Sequence, residues 1–230
     1  MILDRLRGGL IVSIQPEASS VLNAPATVAL LARAAVANGA AGVRIESGER
    51  IAAVRAAVDV PIVGLVKRAH AGFAPYITST LEEIDEVVGA GAEIVAFDAT
   101  ARARPRGATP AALVAAIRAR GALAMADCSD AADLAAAHAV GADIVGTTLA
   151  GYTEATRGRS LPALDLLAAP AAAGAFVILE GGVGSPEQAA AGMAAGASAV
   201  VVGTAISNYD ALVRGFVAGV TRDRSGSPSR

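Results

Sequence analysis

The chain has 230 residues, of which 19 are Lys or Arg and 21 are Asp or Glu, so its formal net charge is −2. This length suits one α/β barrel or one open α/β domain, and a hydrophobic share of 54% excludes disorder for most of the chain. The balanced charge argues against a nucleic-acid partner, which would require a basic stripe. Cys128 is the only cysteine, so an intrachain disulfide and a CxxC site are excluded, and two histidines make a His-built zinc site improbable.

Neither membrane insertion nor secretion is indicated. The longest apolar stretch, residues 162–179, contains Asp165 and two prolines, which a membrane-spanning helix would not tolerate well. The apolar segment at residues 8–14 is at the short limit for a signal peptide, and no A-x-A cleavage site follows it. We therefore expect a cytoplasmic protein without a membrane partner. The last residues, 220–230, are rich in Arg, Ser, Gly and Pro, and we expect a disordered tail there.

A repeated pattern organises the chain. Four segments begin with Gly-Ala and continue into a run of β-branched residues, and their first glycines, Gly39, Gly91, Gly141 and Gly196, lie 52, 50 and 55 residues apart. Each glycine follows an Ala-rich stretch, so it is a plausible helix stop that leads into a strand. The spacing is about twice the length of one strand–helix unit, which predicts a further strand between each pair.

Eight strands and eight helices are predicted in alternation. In chain order the strands lie near residues 9–15, 42–46, 61–67, 93–99, 123–128, 143–149, 176–181 and 199–205, and the helices near 24–38, 48–57, 80–90, 109–120, 130–140, 161–172, 185–195 and 207–219. The strands are continuous apolar runs, which is typical of a parallel sheet that is covered on both faces. We predict a single-domain α/β fold, a TIM (β/α)8 barrel over residues 1–219. An open doubly wound sheet is the alternative, but neither a GxGxxG nor a Walker loop follows the first strand.

Polar side chains follow the predicted strands. In strand order they are Gln15, Arg44 with Glu46, Lys67 with Arg68, Asp98 with Thr100, Asp127 with Ser129, Thr147 with Thr148, Glu180, and Thr204. Active sites of TIM barrels lie at this end of the strands, so these residues are the candidates. Lys67 directly follows the apolar run PIVGLV, where a lysine is costly unless it is paired or used. The structural alternative is that Arg44 or Asp98 only pairs within a polar layer of the barrel.

Glycines after the last two strands predict a phosphate site. Gly181-Gly182-Val183-Gly184 and Gly203-Thr204 each precede a predicted helix, and backbone N–H groups at these positions hold phosphate in many barrels. We expect Gly182, Gly203 and Thr204 to bind the phosphate of a small molecule. A neutral lysine beside a carboxylate suits proton abstraction next to a carbonyl, although a lysine can instead form a Schiff base. No redox motif or metal-ligand cluster is visible, so neither a cofactor nor a metal is expected.

Several motifs together resemble one known family. They lie at residues 8–16, 42–45, 61–68, 97–105, 125–129, 141–152, 180–181 and 200–204, and the most specific are GGLIVSIQP, PIVGLVKR and GADIVGTTLAGY. Over roughly residues 5–218 the chain resembles the N-acylmannosamine-6-phosphate 2-epimerase family. The resemblance implies interconversion of N-acetylmannosamine 6-phosphate and N-acetylglucosamine 6-phosphate in sialic-acid and amino-sugar catabolism, through C2 deprotonation and reprotonation and without an organic cofactor.

The resemblance also assigns residues. It implies that Lys67 and Glu180 are catalytic and that Gln15, Arg44 and Asp127 contact the sugar. We add Thr147, which follows strand 6, as a further substrate contact. The expected partner is a phosphorylated N-acyl amino sugar, and a homodimer remains open as the assembly.

Two departures from the family pattern leave the sugar and acyl preference open. Ala69-His70 stands where the family usually has Asp-Tyr, in a loop expected over the substrate, and Gly182 stands where it usually has an arginine. Another phosphosugar barrel, such as a ribulose-phosphate epimerase, is a rival, but its metal ligands would call for histidines on several strands. A non-catalytic sensor of sugar phosphates is the rival from a different class.

Overall fold

The computed structural model describes residues 1–222 and contains a closed barrel of eight parallel strands that are paired in sequence order. The strands are β1 Leu10–Ile14, β2 Gly42–Glu46, β3 Ile62–Leu65, β4 Ile94–Asp98, β5 Leu123–Asp127, β6 Ile144–Gly146, β7 Phe176–Leu179 and β8 Ala199–Val202. The barrel closes through pairing of β8 with β1. The predicted TIM barrel is therefore confirmed; β2 has its predicted bounds, and the other seven predicted strands are present in a shortened form.

Helices surround this barrel at the predicted places. Those of residues 1–222 are α1 Ile2–Leu6, α2 Pro25–Ala37, α3 Gly48–Arg55, α4 Leu81–Gly89, α5 Pro110–Ala119, α6 Ala131–Ala139, α7 Ala168–Ala172, α8 Pro186–Ala194, α9 Thr204–Ser207 and α10 Tyr209–Arg222. No helix among these residues is long and apolar enough to cross a membrane.

The helix starts are fixed by side chains that the sequence places just before them. Thr80 and Glu83 form a reciprocal capping box at α4, and the side chains of Asp130 and Ser185 accept hydrogen bonds from backbone N–H groups in the first turns of α6 and α8. Such caps satisfy donors that a helix start leaves unpaired. They also set where each loop at the C-terminal end of the barrel stops, and these loops surround the pocket described below.

The structure departs from the predicted elements in three places. The predicted helix at 161–172 is only a 3-10 turn, Leu164–Leu166, followed by the short α7. The last predicted helix is divided at Asn208 into α9 and α10, and α10 extends to Arg222, so residues 220–222 are helical and not part of a disordered tail. The remaining residues of the predicted tail, 223–230, lie outside the described residues. The unpredicted α1 inserts the buried Leu6 into the inner cluster of apolar barrel residues.

The barrel interior changes character along its axis. Its lower part is apolar and contains Ile11, Val63 and Ile144, which are completely buried. Charged side chains occupy the upper part, where Arg44 lies opposite Ser13 of β1 in the strand register. The apolar layer therefore forms a dry floor beneath the charged groups, and this strengthens every electrostatic interaction above it.

Candidate active site

A pocket of about 270 Å³ opens at the C-terminal end of the barrel. It brings together six of the residues singled out in the sequence, namely Gln15, Arg44, Lys67, Glu180, Gly203 and Thr204. Asp127, Thr147 and Gly182 do not line it. Polar groups that converge in a concave pocket are what a site for a small polar ligand requires.

The centre of the pocket floor is an arginine shared by two carboxylates. Arg44 donates from both Nη atoms to Asp127, at 3.0 and 2.7 Å, and its Nη1 also donates to Glu180 Oε2 at 2.9 Å. Arg44 keeps only 1% of its surface accessible and Asp127 keeps none. Asp127 therefore lies beneath the pocket as a fixed partner of Arg44, whereas the resemblance had implied a sugar contact.

Glu180 is held as a weak acid. Burial raises its pKa to about 7 and the neighbouring charge of Asp127 acts in the same direction, while the Arg44 cation and a hydrogen bond from Thr148 oppose the shift. A carboxyl group with this pKa is present in both its protonated and its ionised form near neutral pH. Glu180 can therefore donate as well as accept a proton there.

The pKa of Lys67 is shifted in the opposite direction, downwards. Burial among the groups of the pocket lowers the pKa of its amine, and the charge of Arg44 lowers it further against the opposing effect of Glu46 and Glu180. Among the described residues, the Lys67 amine forms no ion pair. Arg68, the next residue in the sequence, lies against Glu83 and Glu86, at 3.4 and 3.1 Å. The cation that acts on the Lys67 amine is therefore Arg44 on β2.

Lys67 and Glu180 approach the pocket from opposite sides. Lys67 follows β3 and Glu180 follows β7, and these strands are four apart in a closed ring of eight. The backbone of Lys67 is also bridged to Ile77, which ties the lysine to the returning arm of the loop after β3. A planar carbon centre held between the two side chains would present one face to the amine and the other to the carboxyl group.

The expectation for Thr147 is not met by its position. Thr147 is fully buried, and its hydroxyl donates to the backbone carbonyl of Glu180 at 2.8 Å and accepts from the Glu180 N–H at 3.1 Å. The next residue, Thr148, lines the pocket and donates to Asp127 and Glu180 at 2.8 and 3.1 Å. Thr147 thus fixes the backbone of Glu180, while Thr148 faces the site.

Two of the three residues that we expected to bind phosphate, Gly203 and Thr204, line the pocket, and Gly182 does not. Gly203 and Thr204 line it together with Ser207 and Asn208. Gly182 does not line it, and a Cβ atom there would lie 2.4 Å from the Cβ of Leu161, on a backbone with φ of +70°. The arginine that the family usually carries at this position would therefore need the surrounding loops to be arranged differently.

Other candidates have structural roles. Asp98 is fully buried and forms ion pairs with Arg102 at 2.5 Å and with Arg104 at 3.3 Å. This agrees with the alternative that Asp98 only pairs within a polar layer of the barrel. His70 contacts Glu83 at 3.0 Å, outside the pocket lining. Cys128 is buried, and burial raises the pKa of its thiol, which makes it an unreactive core residue. Within residues 1–222, no group of three or more His, Cys, Asp or Glu side chains is arranged to hold a metal ion.

Sequence reasoning missed two aromatic residues of the pocket. Tyr76 and Tyr152 both line it, and both keep a large accessible surface, 38% and 61%. Each lies in a loop that follows a strand. The search for polar residues at the ends of the predicted strands could not find these two tyrosines, because it considered only the first few residues after each strand.

Fold and site together define a TIM-barrel protein with a polar pocket at the C-terminal end of its strands. The family model NanE, described as "Putative N-acetylmannosamine-6-phosphate epimerase", matches residues 28–222. A protein of Enterobacter sp. (strain 638) that bears the corresponding 2-epimerase name is 44% identical over 224 residues, which is 95% of each chain. The bifunctional enzyme NanE/NanK of Brucella suis is 46% identical over 216 residues, 94% of this chain and 41% of that protein.

A solved structure from the same family is similar to this chain over almost its whole length. The N-acetylmannosamine-6-phosphate 2-epimerase from Clostridium perfringens is 34% identical and superposes with a TM-score of 0.90, covering 95% of this chain and 96% of that chain. The chain belongs to the N-acetylmannosamine-6-phosphate epimerase family. The resemblance stated from the motifs is thereby confirmed.

The shared arginine predicts a pH-dependent loss of stability. Arg44→Leu leaves two buried carboxyl groups without their cation and should lower the free energy of unfolding by about 3–5 kcal/mol near pH 8. The loss should be smaller near pH 5. The Arg44 charge lowers the pKa of Glu180 against its burial, so removing the cation raises this folded-state pKa above about 7, and the additional penalty accrues as pH rises above that value. Urea unfolding at the two pH values measures this.

The matched control is Arg118→Leu, which removes an arginine that is half exposed and pairs with Asp143. It should leave the unfolding free energy nearly unchanged, because exposed ion pairs contribute little. An equal loss in both variants, or a loss independent of pH, would contradict the role assigned to Arg44.

Proposed function

We propose that the protein interconverts N-acetylmannosamine 6-phosphate and N-acetylglucosamine 6-phosphate by epimerisation at C2, within sialic-acid and amino-sugar catabolism. The observation that carries this proposal is the placement of Lys67 and Glu180 on opposite strands, each with its pKa shifted towards neutrality. Epimerisation requires a proton to leave one face of a carbon and another to arrive at the opposite face, and these two groups enter one pocket from opposite strands of the barrel. The names of the relatives support the choice of substrate.

The chemistry follows from the open-chain sugar. C2 is bonded to the C1 aldehyde, so loss of its proton gives an enolate whose charge lies largely on the C1 oxygen. Neutral Lys67 takes the C2 proton, and the C–H electron pair moves towards C1. The guanidinium of Arg44 stabilises the charge that develops, in a site whose apolar floor strengthens this interaction.

The second half of the turnover inverts the configuration. Glu180, in its protonated form, donates its proton to the opposite face of C2, so its O–H bond breaks and the new C–H bond forms. The turnover ends with Lys67 protonated and Glu180 ionised. This is the state in which the same pair acts on the other epimer, with Glu180 as the base and Lys67 as the acid.

We place the phosphate of the substrate at the end of the pocket formed by residues 203–208. In the part of the chain that the structure describes, the backbone N–H groups of Gly203 and Thr204 donate to no protein acceptor. Free backbone donors are suitable ligands for phosphate oxygens. We also place the reaction in the cytoplasm, because a charged sugar phosphate does not cross a bilayer unaided and must be used where it is formed.

A direct test is turnover of N-acetylmannosamine 6-phosphate in D₂O, followed by proton NMR. The wild-type protein should form N-acetylglucosamine 6-phosphate and incorporate deuterium at C2. Lys67→Met keeps the length of the side chain and removes the base, so kcat should fall by about 10²–10⁴-fold. Arg68→Met changes the adjacent cation and should retain most of the activity. Near-normal turnover by Lys67→Met would overturn the assignment of the base.

The acid–base pair also predicts the pH profile. Catalysis in either direction needs one proton shared by Lys67 and Glu180. The activity should therefore rise with pH through about 7, as Glu180 loses the second proton, and should fall at alkaline pH as Lys67 loses the remaining one. Because the pKa of Lys67 is lowered, this fall should lie below the ordinary lysine value of about 10.4. The measurement is kcat/KM between pH 5.5 and about 10.5, with circular dichroism to verify the fold, and a profile without an acid limb would contradict the role of Glu180.

The phosphate site can be tested at Gly203. A Cβ atom there would lie 3.5 Å from the Cβ of Ser13, an ordinary contact, so Gly203→Ala should fold normally while its methyl group enters the pocket. We expect KM for the phosphorylated sugar to rise by about tenfold or more, since a weakened charge-assisted hydrogen bond costs on that order. Gly89→Ala, which has no neighbour within 4 Å, is the control. If KM is unchanged in Gly203→Ala, the phosphate lies elsewhere.

We further propose that the protein is a homodimer in which α10 packs against a second copy. The support is an unusually apolar exposed helix surface, formed by Tyr209, Val213, Phe216, Val217 and Val220. Within its own chain α10 is anchored mainly at its start, by its contacts with α9 and by an ion pair between Arg214 and Glu17. Exposed apolar surface of this kind marks contact sites between proteins.

Light scattering after size-exclusion chromatography tests the dimer. The wild-type protein should have twice the mass of one chain, and Phe216→Asp should reduce it to one chain, because a charge would have to be buried in the interface. The control is Val21→Asp, which places the same charge at a 90% exposed position outside α10. A monomeric wild-type protein would refute the dimer without affecting the proposed reaction.

A further inference from the structure

The pocket contains an exposed aromatic side chain that the acid–base chemistry does not use. Tyr152 keeps 61% of its surface accessible, although it lines the pocket. The apolar lining residues Ile77, Leu149 and Val201 are at most 2% accessible, so they have little surface left to bury against a ligand. Among the described residues of the lining, only Tyr76 and Tyr152 offer a large apolar surface.

The backbone of Tyr152 is rigidly held, so its exposure does not come from a loose loop. Its N–H donates to the carbonyl of Leu149 at 3.0 Å, and the preceding Gly151, in the left-handed region at φ of +81°, donates to the hydroxyl of Thr156 at 3.0 Å. Thr156 is in turn bonded to Thr153 at 2.7 Å. Hydrogen bonds on both sides of Tyr152 therefore fix where its side chain starts.

The ring lies next to the residue that follows Glu180. A Cβ atom built on Gly181 would be 3.7 Å from Cε2 of Tyr152, so the ring packs over the backbone of Gly181. The same Cβ position lies 3.6 and 3.7 Å from the backbone carbonyl oxygens of Thr148 and Thr147, and the side chain of Leu161 packs beside the neighbouring Gly151. Tyr76, by contrast, is surrounded by charge, because Asp127, Asp98, Arg102 and Arg44 all act on its phenol.

The chemistry of the substrate places its acyl group close to this ring. The nitrogen that carries the acyl group is bonded to C2, the same carbon that exchanges its proton with Lys67 and Glu180. Across a trans amide, the carbon next to the acyl carbonyl lies about 3.8 Å from C2, the same spacing as between consecutive Cα atoms. Once C2 is within reach of the Glu180 carboxyl group, the acyl chain therefore lies within a few ångströms of that carboxyl group, in the pocket that Gly181 and Tyr152 also line.

We infer that Tyr152 forms the wall of the acyl subsite and sets which N-acyl groups the enzyme accepts. The accessible face of the Tyr152 ring covers a short acyl chain, and the position of the ring limits how long that chain can be. An aromatic ring on a fixed backbone makes such a contact at a low cost in conformational entropy. Tyr152 is thus a specificity-determining residue and takes no part in proton transfer. This inference rests on the proposed function.

The test compares acyl groups across two variants. Wild-type protein, Tyr152→Phe and Tyr152→Ala are assayed with the N-acetyl, N-propanoyl and N-butanoyl derivatives of mannosamine 6-phosphate. In Tyr152→Ala, KM for the N-acetyl substrate should rise by about tenfold, the loss expected for an apolar contact of this size, while kcat stays close to the wild-type value. The preference for N-acetyl over N-butanoyl should fall by a similar factor, and Tyr152→Phe should behave like the wild type.

The outcomes separate this inference from the proposed function. If Tyr152→Ala lowers kcat/KM for all three substrates by the same factor, Tyr152 does not set the acyl preference. If the wild-type protein epimerises none of them, the proposed function fails, and the acyl contact is then measured by calorimetric binding of N-acetylglucosamine 6-phosphate against glucosamine 6-phosphate. The ratio of the two affinities should be larger in the wild type than in Tyr152→Ala, and an equal ratio would overturn the inference.

Discussion

The site depends on one buried guanidinium. Arg44 reaches from β2 across the barrel to Asp127 of β5 and to Glu180 after β7, so a single side chain ties three separate strands together at the level of the pocket floor. Buried ions are costly unless they are paired and hydrogen-bonded, and the two-point contact with Asp127 satisfies this requirement. The remaining charge of Arg44 then acts on Glu180 and on the amine of Lys67. Arg44 thus holds the carboxyl group of Glu180 in place, while burial and the charge of Arg44 together set the pKa values of Glu180 and Lys67.

The fold was predictable because its signals are local and repeated. Caps such as Asp130 and Ser185, glycines at helix ends and continuous apolar strands each mark one boundary, and the eightfold alternation leaves few other ways to bury both faces of the strands. The predictions failed where tertiary contacts decide. Leu6 becomes part of α1 because the open lower end of the barrel needs an apolar plug, and the break at Asn208 reflects the way the chain leaves the pocket towards α10.

The sequence could predict which strand ends contribute to the pocket, but it could not always predict which side chain at a strand end lines the pocket. Lys67, Arg44 and Glu180 could be found because a charged residue at the end of an apolar strand has few structural reasons to be there. The choice between Thr147 and Thr148 could not be made, since the chain turns immediately after β6 and alternation no longer applies. Arg68 was a reasonable neighbour for Lys67 in sequence, but the loop after β3 turns it towards Glu83 and Glu86, outside the lining of the pocket.

The charge balance of the cluster explains how one site can serve both epimers. Arg44 and Asp127 compensate each other, so the remaining pair, Lys67 and Glu180, determines the net charge of the site. A neutral amine with a protonated carboxyl group and an ammonium ion with a carboxylate have the same total charge. In the proposed reaction, moving a proton from one to the other through C2 therefore leaves the charge of the cluster unchanged, and the surrounding dipoles need little reorganisation. An apolar floor that excludes water, together with one fixed cation at the centre, is sufficient to keep these two states close in free energy, as an enzyme that works in both directions requires.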